Sequence, residues 1–349
     1  MSKKVLIAMS GGVDSAVAAY LIKEKGYDAL GATMKLYRPC QTVSDEDETA
    51  DAVAVARLVG IRHQVLDFES DFRSLVVESF ITEYEAAKTP NPCVICNETL
   101  KFGKMMEAAD HLGTDLLATG HYARIERNEN GRYLLRCAAD LTKDQSYVLY
   151  MLNQAQLSRV LFPLGEYTKA QVREIARGLG FVNANKGDSQ DICFIPDGDY
   201  AGFIKRYTGK EYPEGHFVNE SGEVLGTHRG IIHYTIGQRK GLGIALGHPA
   251  FVCHKDPVAN TVTLSDNDAL FSTSLFAKKV NWIPFDRLLS PMKVQAKIRY
   301  NMRAQPAIVE QIDDNRVRVT FDQPQRAITP GQSVVFYDGE YVVGGGIIE

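Results

Sequence analysis

Short apolar runs alternate with amphipathic stretches through the first 120 residues, and this rhythm restricts the fold more than any other feature. VLIAM (5–9), ALGATMKL (29–36), HQVLDF (63–68) and LLATG (116–120) read as short buried strands. Between them, 14–25, 44–59, 72–87 and 99–113 carry apolar residues at helical spacing. Ser44 is the expected cap of the second helix, with the acids of 45–48 in its first turn. Such alternation predicts an α/β fold with a parallel sheet covered by helices on both faces. A hairpin is expected over 122–138 around Asn130-Gly131, followed by helical patterns at 144–160 and 168–179. Beyond about residue 200 helix signals nearly vanish, apart from a turn or two around Tyr200 to Tyr207. Gly-rich β segments take over there (FVNESGEVLGTH, IIHYTIGQRKGLGIALG, AFVCHKDPVANTVTL). From 277 onward, VNWI, KVQAKIRY, PAIVEQI, RVRVTF, QSVVFY and YVVGGGII alternate as in a small barrel or sandwich.

A length of 349 residues leaves room for two or three domains, and 45% apolar with 23% charged residues excludes a disordered chain. The apolar run near the N-terminus is too short for an export signal, and no stretch approaches 18 uninterrupted apolar residues. The expectation is a cytoplasmic protein with no membrane association. Its six cysteines are then read as catalytic or metal-binding before disulfide-forming.

The strongest motif is Ser10-Gly11-Gly12-Val13-Asp14-Ser15, directly after a strand and opening a helix. Two glycines let backbone approach a ligand closely, and the helix start aims N–H groups and a positive dipole end at an anion. Neither a Walker loop nor a dinucleotide fingerprint is present. The hexapeptide resembles the phosphate loop of the PP-loop ATP pyrophosphatase superfamily, whose members cleave ATP between the α and β phosphates. Ala8, Met9, Ser10, Gly11, Gly12, Val13, Asp14 and Ser15 are then the phosphate side of an ATP site, with Met34 and Gly120 flanking the adenosine. Asp14 is the candidate for holding Mg²⁺ or the pyrophosphate.

Cys93 and Cys96 lie in TPNPCVICN (89–97), where two prolines are expected to keep the segment out of regular structure just before a helix. A lone C-x-x-C fits half a zinc site, a redox pair or chance. Cys193 follows far along in SQDICFIP, while Cys40, Cys137 and Cys253 read as filler. Together, TPNPCVICNETLKFG, ATGHYAR, TKDQSYVLYML, SQDICFIP and HYTIGQRKGLGI resemble the tRNA-specific 2-thiouridylases over nearly the whole chain.

That resemblance implies a PP-loop catalytic domain over 1–200, a central β-rich domain over 201–272 and a tRNA-contacting C-terminal β-barrel over 273–349. It implies adenylation of the C2 oxygen of wobble uridine 34, then sulfur transfer through Cys193, as a persulfide, with Cys96 as partner thiol. Asn91, Pro92 and Cys93 would border the flipped uridine. A sulfur-relay protein or cysteine desulfurase is the expected donor. Many relatives of this type carry aspartate where this chain has Cys93. The trio Cys93, Cys96 and Cys193 instead matches the pattern that related thiolases use for a 4Fe-4S cluster.

Net charge is −4, which shows no whole-chain basic excess. Locally, residues 278–303 hold seven Lys and Arg against the single acid Asp286, which suits phosphate contacts with tRNA. The resemblance assigns tRNA contacts to Arg299, Tyr300 and Gln332, and places His121, Lys143, Asp144 and Gln145 along the approach of the anticodon stem-loop. Two other functions fit parts of the sequence. One is a PP-loop synthetase adenylating a small molecule, which would need neither Cys96 nor Cys193; the other is a tRNA-binding protein using ATP only as a conformational ligand.

Overall fold

The structure, a computed structural model, describes residues 2–37, 45–184, 187 and 192–349. The expected cap Ser44 and the filler Cys40 lie outside the described residues. Strands β1 (Lys4–Ala8), β2 (Asp28–Lys35), β3 (Arg62–Asp67) and β4 (Leu116–Ala118) pair in parallel, as the alternation predicts. The chain then turns through a hairpin, β5 (Ala123–Arg127) and β6 (Tyr133–Cys137), before β7 (Val160–Leu161) rejoins the sheet beside β4. The resulting order is β3-β2-β1-β4-β7. Strand order reverses between β1 and β4, so the crevice at their C-terminal ends is where such a sheet takes a ligand.

Side chains alternate across the sheet as a pleat requires. Val5 and Ile7 of β1 join one core with Val17 and Ile22 of helix α1 (Val13–Glu24) and Val55 of α2 (Asp45–Val59). Leu6 points the other way, into a core with Phe72, Phe80, Leu100 and Phe102. These come from helical runs over 69–85 and 92–111, each interrupted by π-wound backbone at Arg73–Val77 and Asn97–Lys104.

Two expectations from spacing fail here. The second run begins at Pro92, so Cys93 and Cys96 lie inside its first turns rather than before it. Proline suits the first helical position, where its missing N–H costs nothing, and Asn91 caps the turn by accepting from the Cys93 N–H at 3.1 Å. The continuous helix expected over 144–160 is instead a 3₁₀ turn, Ser146–Val148, then a short helix, Gln154–Leu157. Tertiary bonds divert its backbone: the Asn281 side chain donates to the Tyr150 and Leu152 carbonyls at 2.7 and 3.1 Å. A capping box at Asn153 then starts the helix afresh.

A helix, Tyr200–Thr208, leads to the central sheet: β8 (Gly215–Val218), β9 (Val224–His228), β10 (Phe251–Asp256) and β11 (Thr261–Ser265), in the order β10-β11-β8-β9. The expected β segment IIHYTIGQRKGLGIALG is a 3₁₀ turn and loops. Gly237, Gly241, Gly243 and Gly247 all take positive φ, which a strand cannot use.

Strands β12 (Phe271–Trp282), β13 (Met292–Lys297), β14 (Gln305–Asp313), β15 (Arg316–Arg326), β16 (Ser333–Asp338) and β17 (Tyr341–Ile348) close into a barrel, because β12 pairs with both β15 and β17. The glycine run of β17 makes closure possible. A Cβ on Gly344 would meet the Asn281 carbonyl at 2.3 Å, and one on Gly345 the Tyr150 ring at 2.6 Å. β6 also pairs with β17, Tyr341 opposite Arg136, so the early hairpin joins the barrel's sheet. Glu340 fixes that seam by accepting from Arg124 at 3.1 Å and Arg136 at 2.6 Å. No helix among the described residues is long and apolar enough to cross a membrane.

Candidate active site

The phosphate loop fills the crevice at the end of β1. Gly12 is the N-cap of α1 in extended conformation and contributes no side-chain cap, which leaves the first N–H groups of a twelve-residue helix to an incoming anion. Gly11 takes φ 71°, the left-handed region that glycine enters without a Cβ penalty. Ser15 braces the turn internally, donating to the Gly12 carbonyl at 3.0 Å and accepting from the Ser10 N–H at 3.1 Å. Val13 is buried beneath it.

The neighbouring strand ends carry the other expected nucleotide residues. Ala8 ends β1 and Met34 lies near the end of β2, both half-buried. Met9 is buried, its N–H on the Ala32 carbonyl and its own carbonyl accepting from Thr33 Oγ1, each at 2.8 Å. Gly120 follows β4 and presses on α1: a Cβ there would lie 2.8 Å from the Ser15 nitrogen. Only glycine lets β4's exit and the phosphate loop come this close.

Sequence reasoning missed three residues that grip this loop. Lys169 Nζ donates to both carboxylate oxygens of Asp14 at 2.8 Å, and Tyr122 Oη donates to Asp14 Oδ1 at 2.8 Å. Asn183 Nδ2 donates to the Gly11 carbonyl at 3.0 Å. They lie 108 to 172 residues from their partners, and no local pattern signals contacts at such separation. The one available cue was that Lys169 opens a helix with a clear Thr168 capping box.

The two residues leaving β4 turn to different neighbours. Tyr122 holds Asp14, while the preceding His121 packs against Phe102 and Phe162 with its Nδ1 2.7 Å from Thr119 Oγ1. Burial, reinforced by the nearby Lys101 charge, drives the His121 pKa well below the usual histidine value, so its ring is neutral. His121 is thus buried among aromatic rings in this structure, not lying open along an RNA approach. Lys101, one position before Phe102, acts electrostatically on Cys93 and Cys96 as well.

The two cysteines sit three positions apart on one helical face. Cys93 is open to solvent and Cys96 half-buried, yet surrounding protein raises both thiol pKa values, with Lys101 opposing. Cys193 is exposed, and its neighbour Phe194 is wedged among Phe72, Phe80 and Phe203 with ring centroids 5.4–5.6 Å away. Burying such a ring stabilises by roughly 2–3 kcal/mol and fixes the chain just after the cysteine. No group of three or more His, Cys, Asp or Glu among the described residues converges as a metal site. Asp14, expected as the Mg²⁺ ligand, has both carboxylate oxygens engaged by Lys169.

The barrel reaches the same face. Tyr300, 37% exposed, donates to the Asp144 carbonyl at 3.2 Å and acts electrostatically on Cys93. Lys297 Nζ lies 5.5 Å from the Tyr300 ring centre. Gln332 donates to the Thr89 carbonyl at 2.6 Å, fastening the barrel to the segment that precedes Asn91 and Pro92. Asp144 and Gln145 shape their own loop: Asp144 accepts from the Ala138 N–H at 2.9 Å and Gln145 from the Tyr122 N–H at 3.0 Å. Lys143 is half-buried in that loop. Arg299 is internal in role, donating to the Ala327 carbonyl at 3.0 Å and Thr329 Oγ1 at 2.5 Å, and it reaches Ile236 of the central part at 3.4 Å. Of the Arg299-Tyr300 pair, only the tyrosine is left presenting a ring.

A phosphate loop at the switch point of a parallel sheet, in a chain that also carries a cysteine pair and a closed β-barrel, marks the class as a nucleotide-using enzyme of the PP-loop type. Residues 3–197 match a family model described as the tRNA methyl transferase HUP domain; 201–266 and 272–348 match its PRC-barrel domain and an aminomethyltransferase β-barrel domain. The tRNA-specific 2-thiouridylase MnmA of Clostridioides difficile is 50% identical over 356 residues, covering 100% of this chain and 99% of the relative. That of Clostridium acetobutylicum is 51% identical, with 100% of both chains covered. The chain belongs to the family of tRNA-specific 2-thiouridylases.

Proposed function

We propose that this chain makes 2-thiouridine at position 34 of tRNA, consuming ATP. The observation that carries the reading is the end-to-end likeness to 2-thiouridylases in a chain that holds both the phosphate loop and the cysteine pair. The uridine O2 attacks the α-phosphorus of ATP, and pyrophosphate leaves toward the N-terminus of α1. The oxygen is now part of a phosphate leaving group. The terminal sulfur of a Cys193 persulfide attacks C2, the C–O bond breaks and AMP departs. Cys96 thiolate then attacks the Cys193 sulfur, which releases 2-thiouridine and leaves a Cys96–Cys193 disulfide for an external dithiol to reduce.

The exposure of Cys193 supports loading by a separate protein, a sulfur-relay protein or cysteine desulfurase of the cytosol. Asn91, Pro92 and Cys93 border the extruded base, with Tyr300, Gln332, Lys143, Asp144 and Gln145 meeting the surrounding anticodon stem-loop. Mg²⁺ accompanies ATP as the phosphate counter-ion.

The test is incubation of tRNA with ATP, Mg²⁺ and a persulfide donor, followed by nucleoside mass spectrometry. Expected is 2-thiouridine in amounts matching AMP. A methylated nucleoside, or AMP formation without thiolation of any tRNA, would overturn the reading.

A further inference from the structure

The segment from Lys169 to Asn183 grips the phosphate loop at two points, one on each side of Gly12. Asp14 is the second residue of α1, so its carboxylate stands beside the N–H groups that would receive a polyphosphate. An uncompensated negative charge there would repel the ligand that the helix N-terminus attracts. Lys169 removes that conflict. Its side chain is only 11% exposed, that of Asp14 33%, and both Asp14 oxygens are within 2.8 Å of Nζ, so the pair is partly shielded from salt screening.

At the other end, Asn183 is 3% exposed and its amide nitrogen holds the Gly11 carbonyl toward the protein interior. In a planar trans peptide the following N–H, that of Gly12, points to the opposite side. Asn183 thereby turns that N–H outward, while Gly11, at positive φ, would otherwise rotate freely. The Asn183 Oδ1 is buried without a partner, a cost of keeping the amide nitrogen aimed at Gly11.

We infer that Lys169 and Asn183 are positioning residues of the nucleotide site: Lys169 cancels the Asp14 charge, and Asn183 sets the peptide between Gly11 and Gly12 so that its N–H faces the triphosphate. The inference rests on the reading of this loop as an ATP site and adds the two distant residues that set its charge and geometry.

The test measures ATP dissociation constants on the full-length protein, with thermal melts to confirm folding at the assay temperature. Lys169→Met should weaken ATP binding by roughly tenfold to a hundredfold, and Lys169→Arg should stay within about threefold of the parent chain. The deciding variant is the double change Asp14→Asn with Lys169→Met, which should recover most of the affinity lost by Lys169→Met alone. Failure of that recovery would overturn charge cancellation, since a lysine acting directly on phosphate cannot be replaced by neutralising Asp14. Asn183→Ala should raise the ATP KM about tenfold with a smaller change in kcat, and Asn183→Asp, which puts an acceptor opposite the Gly11 carbonyl, should cost more. Unchanged affinity in Asn183→Ala would overturn the second half. If the parent chain binds no ATP, the nucleotide reading itself falls and this inference falls with it; that result is distinct because it appears before any substitution.

Discussion

Around the phosphate loop the polar contacts are already in place: Ser15 braces Gly12, Lys169 and Tyr122 hold Asp14, and Asn183 holds Gly11. The cysteine face is built the other way. Cys93 and Cys96 share a helix, and Cys193 stands exposed on another segment. The difference follows from the chemistry each must do. Stabilising a triphosphate requires fixed dipoles that do not reorganise as charge moves. In the proposed reaction the sulfur-carrying thiol must meet first a sulfur donor and then the base, and one rigid position cannot serve both encounters.

The largest expected effect separates the two halves. Cys96→Ser and Cys193→Ser should each lower 2-thiouridine formation by roughly 10³-fold or more while ATP binding stays at the parental level. Nucleoside mass spectrometry beside a nucleotide-binding assay checks this. Loss of ATP binding in either variant would show that the halves are not independent. Next comes Gly120→Ala, which drives a methyl group to 2.8 Å from the Ser15 nitrogen. It should destabilise by about 2–3 kcal/mol and weaken ATP binding, read by denaturant melts with and without nucleotide.

A fourth substitution supplies a control outside both halves. Lys255 is buried in the central sheet with its Nζ on the Tyr234 carbonyl, and burial lowers its pKa to about 8. At about pH 7 the lysine is charged in the folded and unfolded chain alike, so the folded state bears a charging cost of ~3 kcal/mol. Between that pKa and the ordinary lysine value near 10.5 the unfolded chain holds a proton that the folded one has lost, so stability rises with pH. Lys255→Met should gain about 1–2 kcal/mol at neutral pH, part of the relief being offset by the unpaired carbonyl, and should lack that alkaline rise. Urea titrations at two pH values measure it; a parent chain whose stability does not rise with pH would refute the assignment. The smallest effect is expected from Gln332→Ala, which removes the 2.6 Å bond to Thr89. A loss of about 1 kcal/mol with weaker tRNA binding and intact ATP binding would place Gln332 with the cysteine face; equal loss of both would not.

The hexapeptide Ser10–Ser15 was legible because a strand end, two glycines and a helix start are contiguous in the chain. The same holds for the alternation that built β1 to β4 and for the Asn130-Gly131 hairpin. Errors arose where a local signal had two meanings. Pro92 reads as a breaker but serves as the first residue of a helix once Asn91 caps it. The apolar spacing over 144–160 reads as a helix, but Asn281 takes the carbonyls that such a helix would need. Arg299 and Tyr300 are adjacent, yet the arginine donates to the Ile236 and Ala327 carbonyls and to Thr329 Oγ1 while the tyrosine keeps an exposed ring.

The class of sheet and the phosphate loop could be read from the chain alone, because each depends on residues close together in sequence. Tertiary structure decided that the 122–138 hairpin pairs with β17 and that Lys169 and Asn183 close on the loop. Those outcomes come from packing and charge compensation between segments more than a hundred residues apart, and no periodicity within a segment encodes them.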